Sequence, residues 1–214
     1  MTTAVIGIGH IGEPLARQLA AAGERLILAA DHTPKANALA KELGPLATAA
    51  PVRKAIADAD VVVFAVPFET SKQLIRDNSD LLPDKVVIDP SNAIQPDGNG
   101  GFMRALPEGQ SAGAAIAALL PPRSHFVKAF GTLSAGSLVA GANRKPARAV
   151  LFYATDDPRA ALAAERLIAA AGFDPVKVGD VRSSARIEAF GDLHELGGLR
   201  GKLLTAREAV DALA

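Results

Sequence analysis

Short, unbroken apolar runs alternate along the chain with longer stretches in which apolar residues recur every three or four positions. The first run, Ala4-Val5-Ile6, enters Gly7-Ile8-Gly9-His10-Ile11-Gly12, after which Ile11, Leu15 and Leu19 repeat at helical spacing up to Gly23. Arg25 to Ala30 reads as a second, almost fully buried strand. Thr33-Pro34 then opens a helix whose apolar face is Ala36, Leu39, Ala40 and Leu43, stopped by Gly44. Leu46 to Ala49 suggests a short third strand, and Pro51 to Ala57 one or two helical turns. Val61 to Val66 is a β-branched run ended by Pro67, the pattern of a strand covered on both faces. A helix from about Glu69 to Leu82 returns the chain to the strand Lys85–Asp89. Strands alternating with helices at this spacing predict right-handed crossovers and a doubly wound sheet.

Beyond Asp89 the pattern loosens. Ser91 to Gln110 carries Gly98, Gly100, Gly101 and Gly109 and reads as a long surface loop. Its start, Asp89-Pro90-Ser91-Asn92, leaves the carboxyl end of a strand, where such sheets bind ligands. A helix over Ser111–Leu120 precedes a strand over Phe126–Phe130. Two further strands, Arg148–Thr155 and Pro175–Val178, flank a helix over Pro158–Ala171 capped by Gly172. Ser184 to Ala214 reads as two helices broken at Gly197-Gly198, the second with Leu203, Ala206, Val210 and Leu213 along one stripe suited to docking. The expected architecture is α/β: a Rossmann-type, doubly wound, mostly parallel sheet over residues 1–183, with a short helical appendage over 184–214.

The glycines of the first turn have separate tasks. Gly7 permits the tight turn off the strand, Gly9 leaves room for a pyrophosphate to reach the backbone, and Gly12 lets the helix pack closely on the strand. The free N–H groups and positive dipole end of that helix then face the phosphates. Ile8, His10 and Ile11 fill the intervening positions. Asp31 stands at the end of the second strand, about 20 residues on, where a carboxylate accepts hydrogen bonds from a ribose diol. His32 and Lys35 follow it.

Composition narrows the function further. Lys+Arg and Asp+Glu are equal at 23 each, so no charge excess points to nucleic acid or an anionic membrane. There is no Cys, which excludes disulfides, thiol nucleophiles and thiolate metal sites and fits a cytoplasmic location. No signal peptide or membrane span is expected. The four histidines have no metal-ligand spacing, and no Ser/His/Asp set suggests a triad. His125 and His194 read as surface or helix-end residues, and Lys128 as a structural strand residue.

The chain resembles the small dinucleotide-binding oxidoreductases typified by the NADP-dependent reductase of the deazaflavin coenzyme F-420, with the reductase domains of metalloreductases as more distant relatives. The resemblance runs to about Glu188 and is carried by Gly7-Ile8-Gly9-His10-Ile11-Gly12, by Val66-Pro67-Phe68 and by Val127-Lys128-Ala129-Phe130-Gly131-Thr132-Leu133. Arg186-Ile187-Glu188 adds a weak match. Gly131 stands where the family usually has Asn, which removes a side-chain amide. The resemblance implies a nicotinamide over the loops after the fourth and sixth strands, near Val66, Pro67, Ser91, Thr132 and Leu133, and a planar acceptor such as a deazaflavin or flavin. Hydride transfer between flat rings needs stacking and exclusion of water rather than a catalytic acid or base.

Two signals disagree on the coenzyme. The family usually follows its second strand with a small polar residue and an Arg for a ribose phosphate, which implies NADP(H). Asp31-His32 stands here instead, and a carboxylate repels a 2′-phosphate, which favours NAD(H); His32 and Lys35 offset part of that. The expected protein is an NAD(P)H-dependent oxidoreductase and homodimer acting on a small-molecule redox substrate. A non-catalytic sensor of the nicotinamide redox state is the alternative, and fold alone does not separate the two.

Overall fold

The structure is a computed structural model that describes residues 1–213; Ala214, the last residue of the expected helical segment, lies outside the described residues. Its first half follows the apolar runs closely. Strand β1 (Thr2–Ile6) leads to helix α1 (Gly12–Ala21), β2 (Arg25–Ala29) to α2 (Thr33–Leu43), and β3 (Ala47–Ala49) to α3 (Val52–Asp58). Strand β4 (Val61–Phe64) leads to α4 (Phe68–Asp77), and β5 (Val86–Asp89) ends the regular part. The run at Val61 leaves the sheet two residues earlier than its hydrophobicity suggests, so that Ala65 and Val66 belong to the loop.

The stretch expected to be a loop holds a hairpin, β6 (Ile94–Pro96) paired antiparallel with β7 (Phe102–Arg104). Asp97 closes it by accepting the N–H groups of Asn99 at 2.8 Å and Gly101 at 2.9 Å. Then come α5 (Ala112–Ala117), β8 (His125–Ala129), an unanticipated α6 (Ala135–Ala140), β9 (Val150–Ala154), α7 (Pro158–Ala170) and β10 (Asp174–Gly179).

Eight strands form one sheet in the order β10-β9-β8-β5-β4-β1-β2-β3. All neighbours run parallel except β8 and β9, which are antiparallel. Alternate strand residues face opposite layers, as the pleat requires. Val5, Val63, Ile88 and Val127 pack against α1, α2 and α7, whereas Ile6, Val62, Phe64 and Val87 pack against α3, α4 and α5. Because both faces are covered, β4 is buried at all four positions. Among the described residues no helix is long and apolar enough to cross a membrane.

The expected pair of C-terminal helices is replaced by two short ones, α8 (Ser184–Ile187) and α9 (Ala206–Leu213), joined by turns through Gly197 and Gly198. Ile187, Leu193, Leu204 and Ala209 cover Val150, Phe152 and Ala154 of β9, and the N–H of Val150 donates to the Leu204 carbonyl at 2.8 Å. The buried position of α9 is Ala209, while Val210 of the expected stripe is 67% exposed. Leu203 and Leu213 of that stripe pack against the core and Ala206 is exposed, so the inward face of α9 is Ala209, Ala212 and Leu213.

Candidate dinucleotide site

The carboxyl ends of β1, β4, β5 and β8 lie side by side, with Ile6 opposite Phe64, Val63 opposite Ile88 and Asp89 opposite Lys128. Their loops therefore form one rim. The glycine turn hangs on the neighbouring strand through the Gly7 N–H, which donates to the Ala29 carbonyl at 2.7 Å. A Cβ at Gly12 would collide with the Gly7 carbonyl, so only glycine brings α1 this close to the strand. A Cβ at Gly9 would meet no heavy atom within 4 Å. That open side faces a cleft of about 700 Å³ lined by Gly9, His10, Glu13 and Lys35 on one bank and by Ala135, Gly136 and Val139 on the other. The N–H groups at the start of α1 thus border a free volume, as a pyrophosphate requires.

The remaining anticipated residues are distributed around this rim. Asp31, His32 and Lys35 are all exposed at the end of β2 and the start of α2. Val66 is half-buried beside the glycine turn, since a Cβ at Gly7 would touch its side chain; Pro67 is exposed. Ile8 and Leu133 turn their side chains into the core, and Ile11 packs against it, so none of the three is among the residues that line the cleft. Ser91 and Thr132 are buried, and neither hydroxyl has a hydrogen-bond partner among the described residues. Both hydroxyls are enclosed in the loops after β5 and β8, and neither residue lines the cleft over Gly9.

A buried charge pair fixes the Ser91 loop. Lys128 Nζ donates to Asp89 Oδ2 at 2.6 Å and also to the Ser91 carbonyl, both side chains being almost fully buried. Asp89 Oδ1 in turn accepts the Ser91 N–H at 3.1 Å. Each charge is thereby compensated inside the protein, the condition for tolerating it there. Two charged residues in otherwise apolar strands were the available sequence signal for this clamp.

The Gly131 loop is gripped from two sides. Phe130 takes a left-handed backbone (φ 65°) at the end of β8, a costly conformation for a buried aromatic residue. A Cβ at Gly131 would lie 2.6 Å from the Pro90 carbonyl, which explains why Asn, with its Cβ, is absent here. Asn92 supplies an amide instead: its Nδ2 donates to the Gly131 carbonyl at 2.9 Å, and its Oδ1 accepts the Ala189 N–H at 2.7 Å.

The C-terminal segment completes the grip. His194, expected as a surface or helix-end residue, is buried; Nε2 donates to the Gly131 carbonyl at 3.1 Å and Nδ1 accepts the Leu196 N–H at 3.0 Å. Burial pushes its pKa below the usual histidine value. Glu195 donates its own N–H to the Thr132 carbonyl at 3.1 Å, and its carboxylate accepts from Ser134 N–H and Ser137 Oγ at the start of α6. Glu188 does the same for α5, accepting Ala112 N–H at 2.9 Å and Gly113 N–H at 2.7 Å. Apart from the His194–Leu196 bond, none of these roles has a local sequence signature, because the partners are 58 to 76 positions apart. His125 lies at the opposite end of the sheet, bonded to Asp157 at 2.5 Å.

Residues 2–93 match the family described as NADP oxidoreductase, coenzyme F420-dependent. Over that stretch the resemblance carried by the glycine turn and Val66-Pro67-Phe68 is shown, and it is one to NADP-dependent oxidoreductases. No curated protein matches the chain. Among solved structures, a hypothetical protein from Sinorhizobium meliloti superposes with a TM-score of 0.82 at 28% identity, over 96% of this chain and 95% of the other. A protein from Arthrobacter sp. FB24 described as an F420-dependent NADP reductase gives 0.73 at 22% identity, over 85% of this chain and 86% of that one. A reductive aminase from Aspergillus terreus, in complex with NADPH and ethyl levulinate, gives 0.63 at 19% identity, over 86% of this chain but 56% of the other. The last two likenesses establish the fold.

Proposed function

We propose that this protein is a nicotinamide-dinucleotide-dependent oxidoreductase that exchanges hydride with a planar redox acceptor of the deazaflavin or flavin type. The observation that carries the reading is the free volume over Gly9, bordered by the start of α1 and by helix α6. When bound, the nicotinamide supplies or takes up the hydride.

The chain's own residues bind, orient and dry the site. Gly7 to Gly12 hold the pyrophosphate on backbone N–H groups. Asp31, His32 and Lys35 meet the adenosine ribose. Val66 and Pro67 form one wall near the nicotinamide, and the loops that carry Ser91 and Thr132 stand beside it. The Lys128–Asp89 pair, Asn92, His194 and Glu195 hold these loops in place, so that two flat rings stack without reorganising the rim. Asp31 weighs against a 2′-phosphate and shifts preference towards NAD(H), although the matched family is named for NADP.

A second copy of the chain is the proposed source of the missing wall. Phe190 and Leu196, 42% and 63% exposed, flank the tail residues that grip the rim and are the apolar groups offered to it. The test is turnover: oxidation of NADH or NADPH with a panel of deazaflavin and flavin acceptors, alongside sedimentation. Tight binding without oxidation of any acceptor would favour a redox sensor.

A further inference from the structure

The adenosine end of the cleft contains a charge network that the coenzyme site does not need for folding. Glu13, in the first turn of α1, accepts from Arg17 Nη2 at 3.0 Å and pairs with Lys35 Nζ, at the start of α2, at 3.1 Å. Arg17 is held from its other side by both carboxylate oxygens of Glu42, one of them at 2.9 Å. Glu13, Arg17 and Lys35 all line the cleft, with side chains 32%, 41% and 48% exposed. Ion pairs this exposed contribute little to stability. Their effect is on the field inside the cleft.

Arg17 and Lys35 are the two permanent cations among the residues that line this cleft. Lys35 follows Asp31 by four positions, and its N–H donates to the His32 carbonyl at 3.0 Å, so it is tied to the residues expected at the ribose. A 2′-phosphate entering here must compete with Glu13 for Lys35, and with Glu13 and Glu42 for Arg17. Hydrogen bonds from Arg17 and Lys35 hold the Glu13 carboxyl below its ordinary pKa, so it stays charged at neutral pH. A dianion is then met by a carboxylate rather than by free ammonium and guanidinium groups. A diol carries no charge and meets no such barrier.

We infer that Glu13 is a specificity-determining residue: by occupying Lys35 and Arg17 it selects against coenzymes that carry a 2′-phosphate. The inference rests on the dinucleotide reading above. It gives two carboxylates separate roles, with Asp31 acting on the ribose and Glu13 acting on the cations that would otherwise receive the phosphate.

Calorimetric titration of NADH and NADPH into wild type and Glu13→Gln tests it. The variant is expected to bind NADPH at least fivefold more tightly, with NADH changed less than twofold and NADPH binding more sensitive to added salt. Lys35→Gln added to Glu13→Gln should remove most of the gain. Should Glu13→Gln fail to fold by thermal melt, Glu13→Asp, which keeps the charge but shortens its reach, should give part of the same gain. An unmoved NADPH/NADH ratio, or a loss of NADPH affinity, would overturn the role given to Glu13. Wild type binding neither coenzyme would overturn the dinucleotide reading itself, a different and distinguishable outcome.

Discussion

The carboxylate of Glu195 accepts the N–H of Ser134 at 2.6 Å, so a residue of the C-terminal segment caps the helix that forms one bank of the cleft. Residues 188–195 are therefore bonded to the rim loops, while α9 covers the outer strands. Removing residues 184–213 would uncover Val150, Phe152 and Ala154 and take the Glu188 and Glu195 carboxylates from the starts of α5 and α6, which would keep only their own Ser111 and Ser134 caps. Point substitution is the informative experiment. Glu195→Ala leaves the Ser134 N–H and the Ser137 hydroxyl without their acceptor, which should cost about 1–2 kcal/mol and weaken dinucleotide binding severalfold. Thermal melts and titration measure both; unchanged values would separate the α6 bank from the binding site.

Gly9→Val tests the pyrophosphate approach. Because a Cβ at Gly9 points into open space, the fold should survive with its melting temperature little changed. The side chain fills the volume over the turn, so calorimetric binding of both coenzymes should disappear. Retained affinity would place the phosphates elsewhere.

The parallel part of the sheet was legible because its strands are buried on both faces and their apolar runs have no alternation to blur. Gly7 and Gly12 were legible for a related reason: in each case neighbouring backbone leaves no room for a Cβ, whereas the space over Gly9 is open. Other features depend on distant partners. The hairpin Ile94–Pro96 with Phe102–Arg104 is almost entirely exposed, so no hydrophobic signal marks it. Strand direction is not encoded in an apolar run, and β9 turned antiparallel unannounced. His194 and Glu195 act through backbone groups more than 50 positions away, and their neighbours' hydropathy says nothing of it.

Coenzyme preference tests the reading of Asp31. Wild type should bind NADH at least as tightly as NADPH. Asp31→Ser combined with His32→Arg should shift the ratio towards NADPH by tenfold or more, about 1.4 kcal/mol, since a guanidinium replaces a repelling carboxylate. A wild-type preference of tenfold for NADPH would mean that His32 and Lys35 outweigh Asp31.

His194 gives stability a pH dependence. Its folded pKa lies below the ordinary value of 6.5, so near and below that pH the unfolded chain takes up a proton that the native protein resists. The contribution is present above the unfolded pKa and is lost as pH falls from there towards the depressed folded value. Denaturation midpoints at pH 8 and pH 5.5 should therefore fall more in wild type than in His194→Gln. Equal falls in the two proteins would assign the effect to other groups.

Stopped-flow single turnover with deuterated coenzyme tests hydride exchange on this rim. Protein loaded with NADH or NADPH deuterated at the reacting carbon is mixed with an oxidised deazaflavin or flavin. The account predicts that loss of the reduced-nicotinamide absorbance coincides with acceptor reduction, is slowed by the isotope, and leaves deuterium on a deazaflavin product. Coenzyme that binds tightly yet stays reduced with every planar acceptor would contradict it.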